Sequence, residues 1–558
     1  MTISPPASRT TDWDLCPACS AIVYRPRLVK SRYVCPECGH HHRLGAADRL
    51  ATLVDDGSFV PAPQVRGADP LGFVDSRPYP ERLELARRRT GLQDAVVYGT
   101  ATIGGRRVVA AVMDFAFLGG SMGSAVGEAV TRACELALSE HTPLILAIAS
   151  GGARMQEGGL SLMQMAKTAQ AMRALRAEGV LTVCVLTDPT FGGVTASFAT
   201  LGDVLIAERG ALIGFAGPRV IAAATREKLP AGFQSAEYLM ERGMLDRVEP
   251  RDGLRPLLAR LLAVTARADG ARADAPDGAD HVLIRDPAGL SGGPAPYETL
   301  RLARDVRRPT TLDYIWQMCS DFVELHGDRL ERDDPAIVGG PALLDGTPVM
   351  IIGHQKGHDT QELVARNFGL AHPEGYRKAL RLMLLADRLG LPVVTLVDTQ
   401  GAAPGVRAED RGQSWAISEC LAGMSDLSVP VVSVVTGEGG SGGALALAVA
   451  NRVLMLRHAV YSVISPESCS TILHGDPSQG PRMAEALRIT APELLALGVV
   501  DGVVPEPPGG AQESPATAVE NLKAAVLQSL RELSGLSGDE LRKHRYERFR
   551  GLGVIADG

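Results

Sequence analysis

Four cysteines near the N-terminus are spaced to bind a metal ion. They form two Cys-x2-Cys knuckles with 15 residues between them: Cys16, Cys19, Cys35 and Cys38. Knuckles at this distance can place four thiolates around one tetrahedral ion. Because four thiolates leave no coordination position open, the pattern predicts one structural zinc per chain and no catalysis by the metal. The alternative is a set of free or redox-active thiols. We interpret the following His40, His41 and His42 as surface residues.

Four glycine-rich turns follow predicted strands and can stabilise negative charge. They are SGGARMQEG (150–158), DPTFGGVTASF (188–198), DTQGAAPGV (398–406) and GEGGSGGALA (437–446). Glycines after a strand let backbone N–H groups face outward, and a helix that begins there adds positive potential. Such a turn can hold an oxyanion, for example a thioester enolate, without any side chain. The alternative is tight strand-to-helix packing, with glycine chosen only for space.

The last turn also contains a competing nucleophile motif. Ser441 is the centre of a G-x-S-x-G sequence that follows a predicted strand, as in the elbow of serine hydrolases. The downstream His474 and Asp476 have the wrong order, because the elbow family places the acid before the histidine. Phe191, which we place at the equivalent position of the turn at 188–198, is no nucleophile. We therefore favour an oxyanion function for this turn.

The turns recur at matched positions in two long blocks. The predicted strands LILAIAS and VCVLTD lead to Gly151 and Gly192, and the strands VVTLVDT and VVSVVT lead to Gly401 and Gly442. Both intervals between glycines are 41 residues. Each block reads as strand, glycine turn, helix, strand, glycine turn and helix. This order predicts an α/β fold that arose by tandem duplication.

Length and composition set the domain organisation. A chain of 558 residues is too long for one ordinary core. A stretch rich in Ala, Asp, Gly and Pro predicts a linker at 265–295, so we expect a zinc ribbon at 12–45 and α/β domains at 46–264 and 296–558. The net charge of −7 does not fit a general basic surface for nucleic acid. No apolar stretch of membrane-spanning length and no leader segment is evident, so we expect a cytoplasmic protein without membrane contact.

Longer runs of sequence resemble the bacterial acetyl-CoA carboxylase carboxyltransferase, with its β and α subunits joined. The β likeness extends to about residue 250 and includes CPECGHHHR, FAFLGGSMGSAVGE, ASGGARMQE and VLTDPTFGGVTASFA. The α likeness extends over about 309–551 and includes MIIGHQKG, PEGYRKALRLM, GEGGSGGALA and YSVISPE. The resemblance implies two tandem crotonase-like (ClpP/crotonase) βαβ-spiral domains behind an N-terminal zinc ribbon.

The resemblance also implies a reaction and a set of partners. A carboxyl group would move from carboxybiotin, held on a biotin carboxyl carrier protein, to acetyl-CoA, forming malonyl-CoA. The family pattern implies two oxyanion sites, at Gly192–Gly193 and Gly442–Gly443, with Gly151–Gly152 as a further candidate at the thioester end. Biotin carboxylase would recharge the carrier. Because the two oxyanion turns lie in different blocks yet must face one pair of reactants, we expect a homodimer with each active site built from a β-type and an α-type domain.

Two residues depart from the family pattern and leave alternatives open. The α turn of the family usually reads D-T-P-G-A-Y-P-G, whereas this chain has Gln400 for the proline and Ala403 for the tyrosine. Acyl-CoA choice is therefore open, and another short acyl-CoA such as propionyl-CoA is the alternative substrate. The zinc ribbon argues for the acetyl type. A scaffold with inactive sites is a further alternative. Basic residues of the ribbon leave nucleic-acid binding as a minor side activity: Arg25, Arg27, Lys30, Arg32 and Arg43.

Overall fold

The computed structural model describes residues 12–266 and 282–553. The chain divides into two compact units, Met1–Ala263 and Val264–Gly558. None of the helices in the described ranges has the length and hydropathy that a membrane crossing requires. Of the predicted linker at 265–295, residues 267–281 lie outside the described ranges. Ile284 pairs with Val503 through a β-bridge, so the last part of this segment packs on the second unit.

The first unit begins with a small two-stranded ribbon and continues into an α/β sheet. Its strands are β1 (Trp13–Leu15), β2 (Ile22–Tyr24), β3 (Val60–Pro61), β4 (Val96–Ile103), β5 (Arg106–Met113), β6 (Leu144–Ser150), β7 (Thr182–Phe191), β8 (Val204–Glu208), β9 (Ile213–Gly214) and β10 (Arg247–Glu249). Its helices are α1 (Arg25–Lys30), α2 (Ala46–Leu53), α3 (Tyr79–Thr90), α4 (Ser124–Ser139), α5 (Gly158–Ala177), α6 (Gly192–Thr195), α7 (Pro218–Thr225), α8 (Ala236–Glu241) and α9 (Arg251–Val264).

The second unit repeats the α/β sheet and adds two C-terminal helices. Its strands are β11 (Cys319–Phe322), β12 (Ile337–Leu344), β13 (Thr347–His354), β14 (Val393–Thr399), β15 (Val431–Gly440), β16 (Arg452–Leu456), β17 (Val460–Ser462) and β18 (Gly502–Val504). Its helices are α10 (Pro296–Ala303), α11 (Thr311–Met318), α12 (Thr360–Ala365), α13 (Pro373–Leu389), α14 (Val406–Asp410), α15 (Gln413–Asp426), α16 (Ser441–Leu445), α17 (Pro466–His474), α18 (Gly480–Ala486), α19 (Ala491–Ala496), α20 (Pro515–Leu533) and α21 (Gly538–Arg550).

The two sheets have the same strand order and direction. The first is β10-β8-β7-β6-β5-β4-β3 with β9 beside β7, and the second is β18-β16-β15-β14-β13-β12-β11 with β17 beside β15. In each sheet three antiparallel strands lead into a parallel set. The central parallel strands are apolar runs buried on both faces, as β6 shows along its whole length. The α/β class and the tandem duplication predicted from the sequence are confirmed.

Parallel pairing brings the glycine turns of each unit to one edge of its sheet. β6 and β7 pair in parallel, as do β14 and β15, so the turns that follow them lie side by side. A strand of a parallel sheet must be followed by a crossover, and in each unit a helix begins within a few residues of the turn. This edge is where ligands bind in open α/β sheets.

Candidate functional site

The four predicted cysteines form a metal centre in the ribbon. Their Sγ atoms all lie within 4.8 Å of one another, and the Cys16–Cys38 and Cys19–Cys35 Sγ pairs are 3.7 and 3.9 Å apart. Four sulfurs around zinc, at Zn–S distances of about 2.3 Å, would be about 3.8 Å apart. The sulfur positions therefore fit a tetrahedral zinc, and the zinc that the spacing predicts is a structural cofactor of this chain.

Of the three histidines that the sequence predicts as surface residues, His41 is the one for which the prediction is wrong. His40 and His42 are partly exposed, whereas His41 is buried and its Nδ1 lies 3.9 Å from a Glu208 oxygen. Burial lowers the pKa of His41, so the imidazole is neutral near pH 7. His41 is buried because the ribbon packs on the α/β sheet at this point.

A buried arginine joins the ribbon to the sheet of the first unit. Arg251 donates to the backbone carbonyls of Arg32, Tyr33 and His42 at 2.9, 3.2 and 2.9 Å. Its Nε also donates to Glu208 at 2.8 Å, and Arg49 bonds the same carboxylate. Burial alone would raise the pKa of Glu208, but the two guanidinium groups hold it well below its usual range. The zinc ribbon is thus fixed to the sheet that carries the first pair of turns.

The two glycine turns of the first unit are in close backbone contact. Gly152 has a φ of 115° and Gly192 a φ of 65°, both in the left-handed region that favours glycine. A Cβ on Gly192 would lie 2.9 Å from the Gly152 Cα, and a Cβ on Gly152 would lie 3.3 Å from the Gly192 Cα. Glycine is required at both positions for conformation and for space.

The backbone N–H groups of these two turns fall into two sets: those that donate a hydrogen bond within the protein, and those that are available to a ligand. Gly151 donates to the Gly119 carbonyl at 2.8 Å, Gly152 to the Ser150 Oγ at 3.0 Å, and Gly192 to the Phe215 carbonyl at 2.8 Å. By contrast, the N–H groups of Ala153 and Gly193 have no acceptor among the described residues. A Cβ on Gly193 would lie 3.6 Å from the Ala153 Cβ, so the two residues are neighbours. Ala153 and Gly193 can therefore act together on one oxygen atom.

The second unit has the same arrangement, but with an equivalence that differs by one residue from the predicted one. β15 ends at Gly440 and β7 at Phe191, so the left-handed Ser441 (φ 55°) matches Gly192, and Gly442 matches Gly193. Phe191 is therefore not the counterpart of Ser441. The strand ends match Gly151 with Gln400 and Gly192 with Ser441, so both predicted pairs of equivalent residues were wrong by one position. Because both errors have the same size and direction, the interval of 41 residues is the same in the two units and does not reveal them.

The second unit also presents two available donors, at the positions that match Ala153 and Gly193. Gly401 donates to the Thr399 Oγ1 at 3.1 Å, as Gly152 does to Ser150. Within the described ranges the N–H groups of Ala402 and Gly442 have no acceptor. Gly443 is buried, and a Cβ there would lie 2.5 Å from the Ala402 nitrogen, so this glycine serves close packing. Sequence reasoning missed Ala153 and Ala402, whose one signal is that each directly follows a turn glycine.

The nucleophile-elbow alternative has no partner for its serine. Ser441 is exposed, and no hydrogen bond joins its Oγ to a histidine in the part of the chain that the structure describes. The buried His354 lies beside the Gly443 backbone, but burial lowers its pKa to about 3 and makes it a poor general base. His474 lies at the end of α17 and Asp476 bonds Ser478. The geometry therefore does not assemble a catalytic triad.

The two departures from the family pattern have different surroundings. Ala403 is 3% exposed and donates its N–H to the Ala371 carbonyl, so it cannot reach a ligand. Gln400 is exposed and lines a cavity of about 140 Å³. Charged and aromatic side chains share that cavity: Arg304, Arg308, Lys356, Phe368 and Asp398. Of the two residues, Gln400 is the one that lines a cavity.

Two tandem α/β spirals with paired backbone donors, behind a four-cysteine ribbon, define a protein of the crotonase-like class. The crystal structure of the transcarboxylase 12S core, described with methylmalonyl-coenzyme A bound, matches with a TM-score of 0.67, 24% identity, and coverage of 90% of this chain and 92% of that one. A single-chain, multi-domain long-chain acyl-CoA carboxylase matches with a TM-score of 0.65 at 21% identity, over 89% of this chain and 47% of that one. Both likenesses establish the fold.

Sequence comparisons identify the family. Residues 294–553 match the model described as acetyl co-enzyme A carboxylase carboxyltransferase-like, and residues 13–38 match the acetyl-CoA carboxylase zinc finger domain. The carboxyl transferase subunits beta/alpha of Parafrankia sp. are 56% identical over 98% of this chain and 92% of theirs. The alpha subunit of Thermus thermophilus is 59% identical over 47% of this chain and 84% of its own length. The chain belongs to the acetyl-CoA carboxylase carboxyltransferase family, in the form that joins the beta and alpha subunits.

Proposed function

We propose that this chain transfers a carboxyl group from carboxybiotin to acetyl-CoA and forms malonyl-CoA. The observation that carries the proposal is the repeated pair of available N–H donors, Ala153 with Gly193 and Ala402 with Gly442, in a chain of this family. The reaction develops negative charge on two oxygen atoms, the thioester oxygen of the enolate and the ureido oxygen of the departing biotin. The chain has two donor pairs for two oxyanions, and a pair of N–H donors is the kind of group that stabilises an oxyanion.

The proposed chemistry uses the backbone to stabilise charge. As the acetyl methyl group loses a proton, the N–H pair of one turn holds the enolate oxygen. The new carbon–carbon bond forms at that methyl carbon as the bond between the carboxyl carbon and the biotin nitrogen breaks, and the other N–H pair holds the ureido oxygen. No protein base is required if the ureido nitrogen accepts the proton. Gly152, Gly192 and Gly443 then serve the reaction as close-packing residues that bring the donors together, and Gly151 holds the first turn through its bond to the Gly119 carbonyl.

The direct test is the reverse half-reaction. Purified protein should decarboxylate malonyl-CoA when free biotin or a biotin analogue is supplied, because the enolate and the ureido anion both form in this direction. Methylmalonyl-CoA, the carboxylated form of propionyl-CoA, tests in the same assay the alternative acyl choice that Gln400 leaves open, with Gln400→Pro as the matched variant. Hydrolysis of simple esters without biotin-dependent decarboxylation would instead support the serine-hydrolase alternative.

We further propose that the chain works with a biotin carboxyl carrier protein and a biotin carboxylase in the cytoplasm. Its family supports the biotin-containing partners, because carboxybiotin must be made and delivered by other components. Nucleic-acid binding by the ribbon stays a minor prediction. Two of the basic residues already have acidic partners, since Arg27 bonds Glu37 and Arg43 bonds Asp188. A salt-dependent shift on RNA or DNA that Cys35→Ser abolishes would support it.

We expect the chain to form a homodimer. Apolar side chains stand exposed next to the turns of each unit, where a lone protomer would leave them in water: Met155, Leu162, Met163, Val406 and Trp415. Burial of these side chains against a second copy would stabilise the assembly. Light scattering should give twice the protomer mass of 58.9 kDa, or a higher multiple. An active species with the protomer mass would contradict the proposal.

A further inference from the structure

We propose that Arg154 is a positioning residue that fixes the first donor pair in its catalytic geometry; this inference rests on the proposed function. Arg154 directly follows Ala153, whose N–H is one of the available donors. Its side chain is fully buried, so it does not touch substrate. It acts through the backbone that it holds.

Every N–H of the Arg154 guanidinium has an acceptor. The Nη1 atom donates to Asp94 at 3.0 Å and to the Tyr79 hydroxyl at 3.1 Å. The Nη2 atom donates to Asp94 at 2.7 Å and to the Ser121 carbonyl at 2.8 Å, and the Nε atom donates to the Ser121 Oγ at 3.0 Å. Five donors with five acceptors fix both the position and the plane of the group.

The network extends from Arg154 to both sides of the turn. The Tyr79 hydroxyl donates to Glu157 at 2.7 Å, and the other oxygen of Glu157 accepts from the Ser124 N–H at 2.6 Å. That N–H is at the first turn of α4, so the carboxylate also interacts with the positive end of a 16-residue helix. Residues 154 and 157 are thus anchored to α3 and α4, and the turn before them has little freedom.

The backbone of Arg154 is held as firmly as its side chain. Its N–H donates to the Met122 carbonyl at 3.0 Å and to the Ser161 Oγ at 2.8 Å. At the other end of the turn the Ser150 Oγ accepts from Gly152. Between these two anchors lies Ala153, which is exposed. These two anchors therefore set the direction of the Ala153 N–H, which has no acceptor within the turn.

The second unit shows that this fold does not need the arginine. Strand β14 ends at Thr399 as β6 ends at Ser150, so Ala403 occupies the place of Arg154. Gly401 and Ala402 still form the turn there, with the same Thr399 bond. A guanidinium is thus dispensable for building such a turn. In the first unit the buried Arg154–Asp94 pair therefore adds a further restraint to a turn whose form does not depend on it.

The experiment compares Arg154→Lys and Tyr79→Phe with wild type in the biotin-dependent decarboxylation of malonyl-CoA. Lysine keeps the charge but cannot reproduce the planar bonds to Asp94 and Ser121, so we expect kcat to fall by about 10-fold or more with KM for malonyl-CoA changed less than about twofold. Tyr79→Phe deletes one hydroxyl and should lower kcat by about 3-fold. Amide hydrogen exchange in residues 150–158 should be faster in both variants.

A matched control separates positioning from stability. Arg545 is equally buried and bonds the Asn451 side chain and the Leu427 carbonyl, which are not part of a glycine turn. Arg545→Lys should lower Tm without changing kcat. If Tyr79→Phe and Arg154→Lys lower Tm but leave kcat and exchange at 150–158 as in wild type, the inference is overturned. If wild type itself does not decarboxylate malonyl-CoA, the proposed function fails, and the exchange data alone decide whether Arg154 orders the turn. Should Arg154→Lys not fold, Tyr79→Phe carries the test.

Discussion

Gly193→Val and Gly442→Val should each lower turnover by about 100-fold to 1,000-fold, the usual cost of one lost oxyanion donor. Neither glycine has a left-handed φ, so the backbone accepts a side chain at both positions. A Cβ at Gly442 meets only the Ile417 Cγ2 at 3.8 Å, and one at Gly193 meets the flexible Met165 Sδ at 3.0 Å. The valine side chains would instead cover the available N–H groups. We therefore expect folded, dimeric and nearly inactive proteins.

Ser441 provides the control for this prediction. Ser441→Ala keeps the turn and its N–H groups, so it should retain most of the activity. Ser441→Gly reproduces the residue that the first unit has at this position, Gly192, and relieves a left-handed φ of 55°. Circular dichroism, light scattering and malonyl-CoA decarboxylation measure fold, assembly and rate. An inactive Ser441→Ala, or labelling of Ser441 by a fluorophosphonate, would show that the serine is a nucleophile and that the mechanism proposed here is wrong.

The steric roles of the other glycines can be separated in the same assay. A Cβ on Gly443 would lie 2.5 Å from the Ala402 nitrogen, and Gly192 combines a left-handed φ with a 2.9 Å approach to Gly152. Gly443→Ala and Gly192→Ala should therefore lower Tm, with activity lost through displacement of the turn. Lost activity without any fall in Tm would assign these two glycines a direct catalytic role.

The strands before the first turn of each unit were predictable from sequence alone. LILAIAS and VVTLVDT are observed as β6 and β14 with the same bounds, because buried parallel strands are continuous apolar runs that end at a glycine turn. β7 and β15 continue to Phe191 and Gly440, beyond their predicted ends. Glycine and proline in those extensions look like turn residues in sequence, but β9 pairs with Thr190 and Phe191 and β17 pairs with Glu438–Gly440, so both strands run on to these residues.

The donors themselves were only partly predictable. A glycine pair signals a turn, but it does not tell which N–H remains available, since that depends on distant acceptors such as the Phe215 carbonyl. The one sequence signal of Ala153 and Ala402 is that each directly follows a turn glycine. The burial of His41 depends on a contact with Glu208, which lies far away in the chain. Long-range partners of this kind set the chemistry of the site and are absent from any local pattern.

Loss of the zinc should unfold the ribbon and leave the rest of the first unit folded. The apolar core of the ribbon consists of two of the ligands themselves, Cys16 and Cys35, with Val23 and Leu28 and little else. So small a core cannot hold the ribbon without the metal, which contributes about 10–16 kcal/mol in isolated zinc-finger peptides. We expect Cys35→Ser to reduce zinc well below one per chain and to expose residues 12–45 to hydrogen exchange. The bonds from Arg251 to ribbon carbonyls would be lost, while its bond to Glu208 keeps the charge paired.

The matched control for zinc loss is Cys134→Ser, at a buried thiol in α4 that lies outside the metal cluster. Burial raises the pKa of Cys134 to about 12, so this thiol remains protonated and is no metal ligand. Cys134→Ser should keep one zinc per chain by elemental analysis and leave exchange at 12–45 unchanged. Freshly purified wild type with well under one zinc, or Cys35→Ser with a full equivalent, would contradict the four-cysteine site. Because the four thiolates close the coordination shell, any loss of activity on zinc removal should follow the unfolding of the ribbon and its release from β8 and α9, and should not precede it.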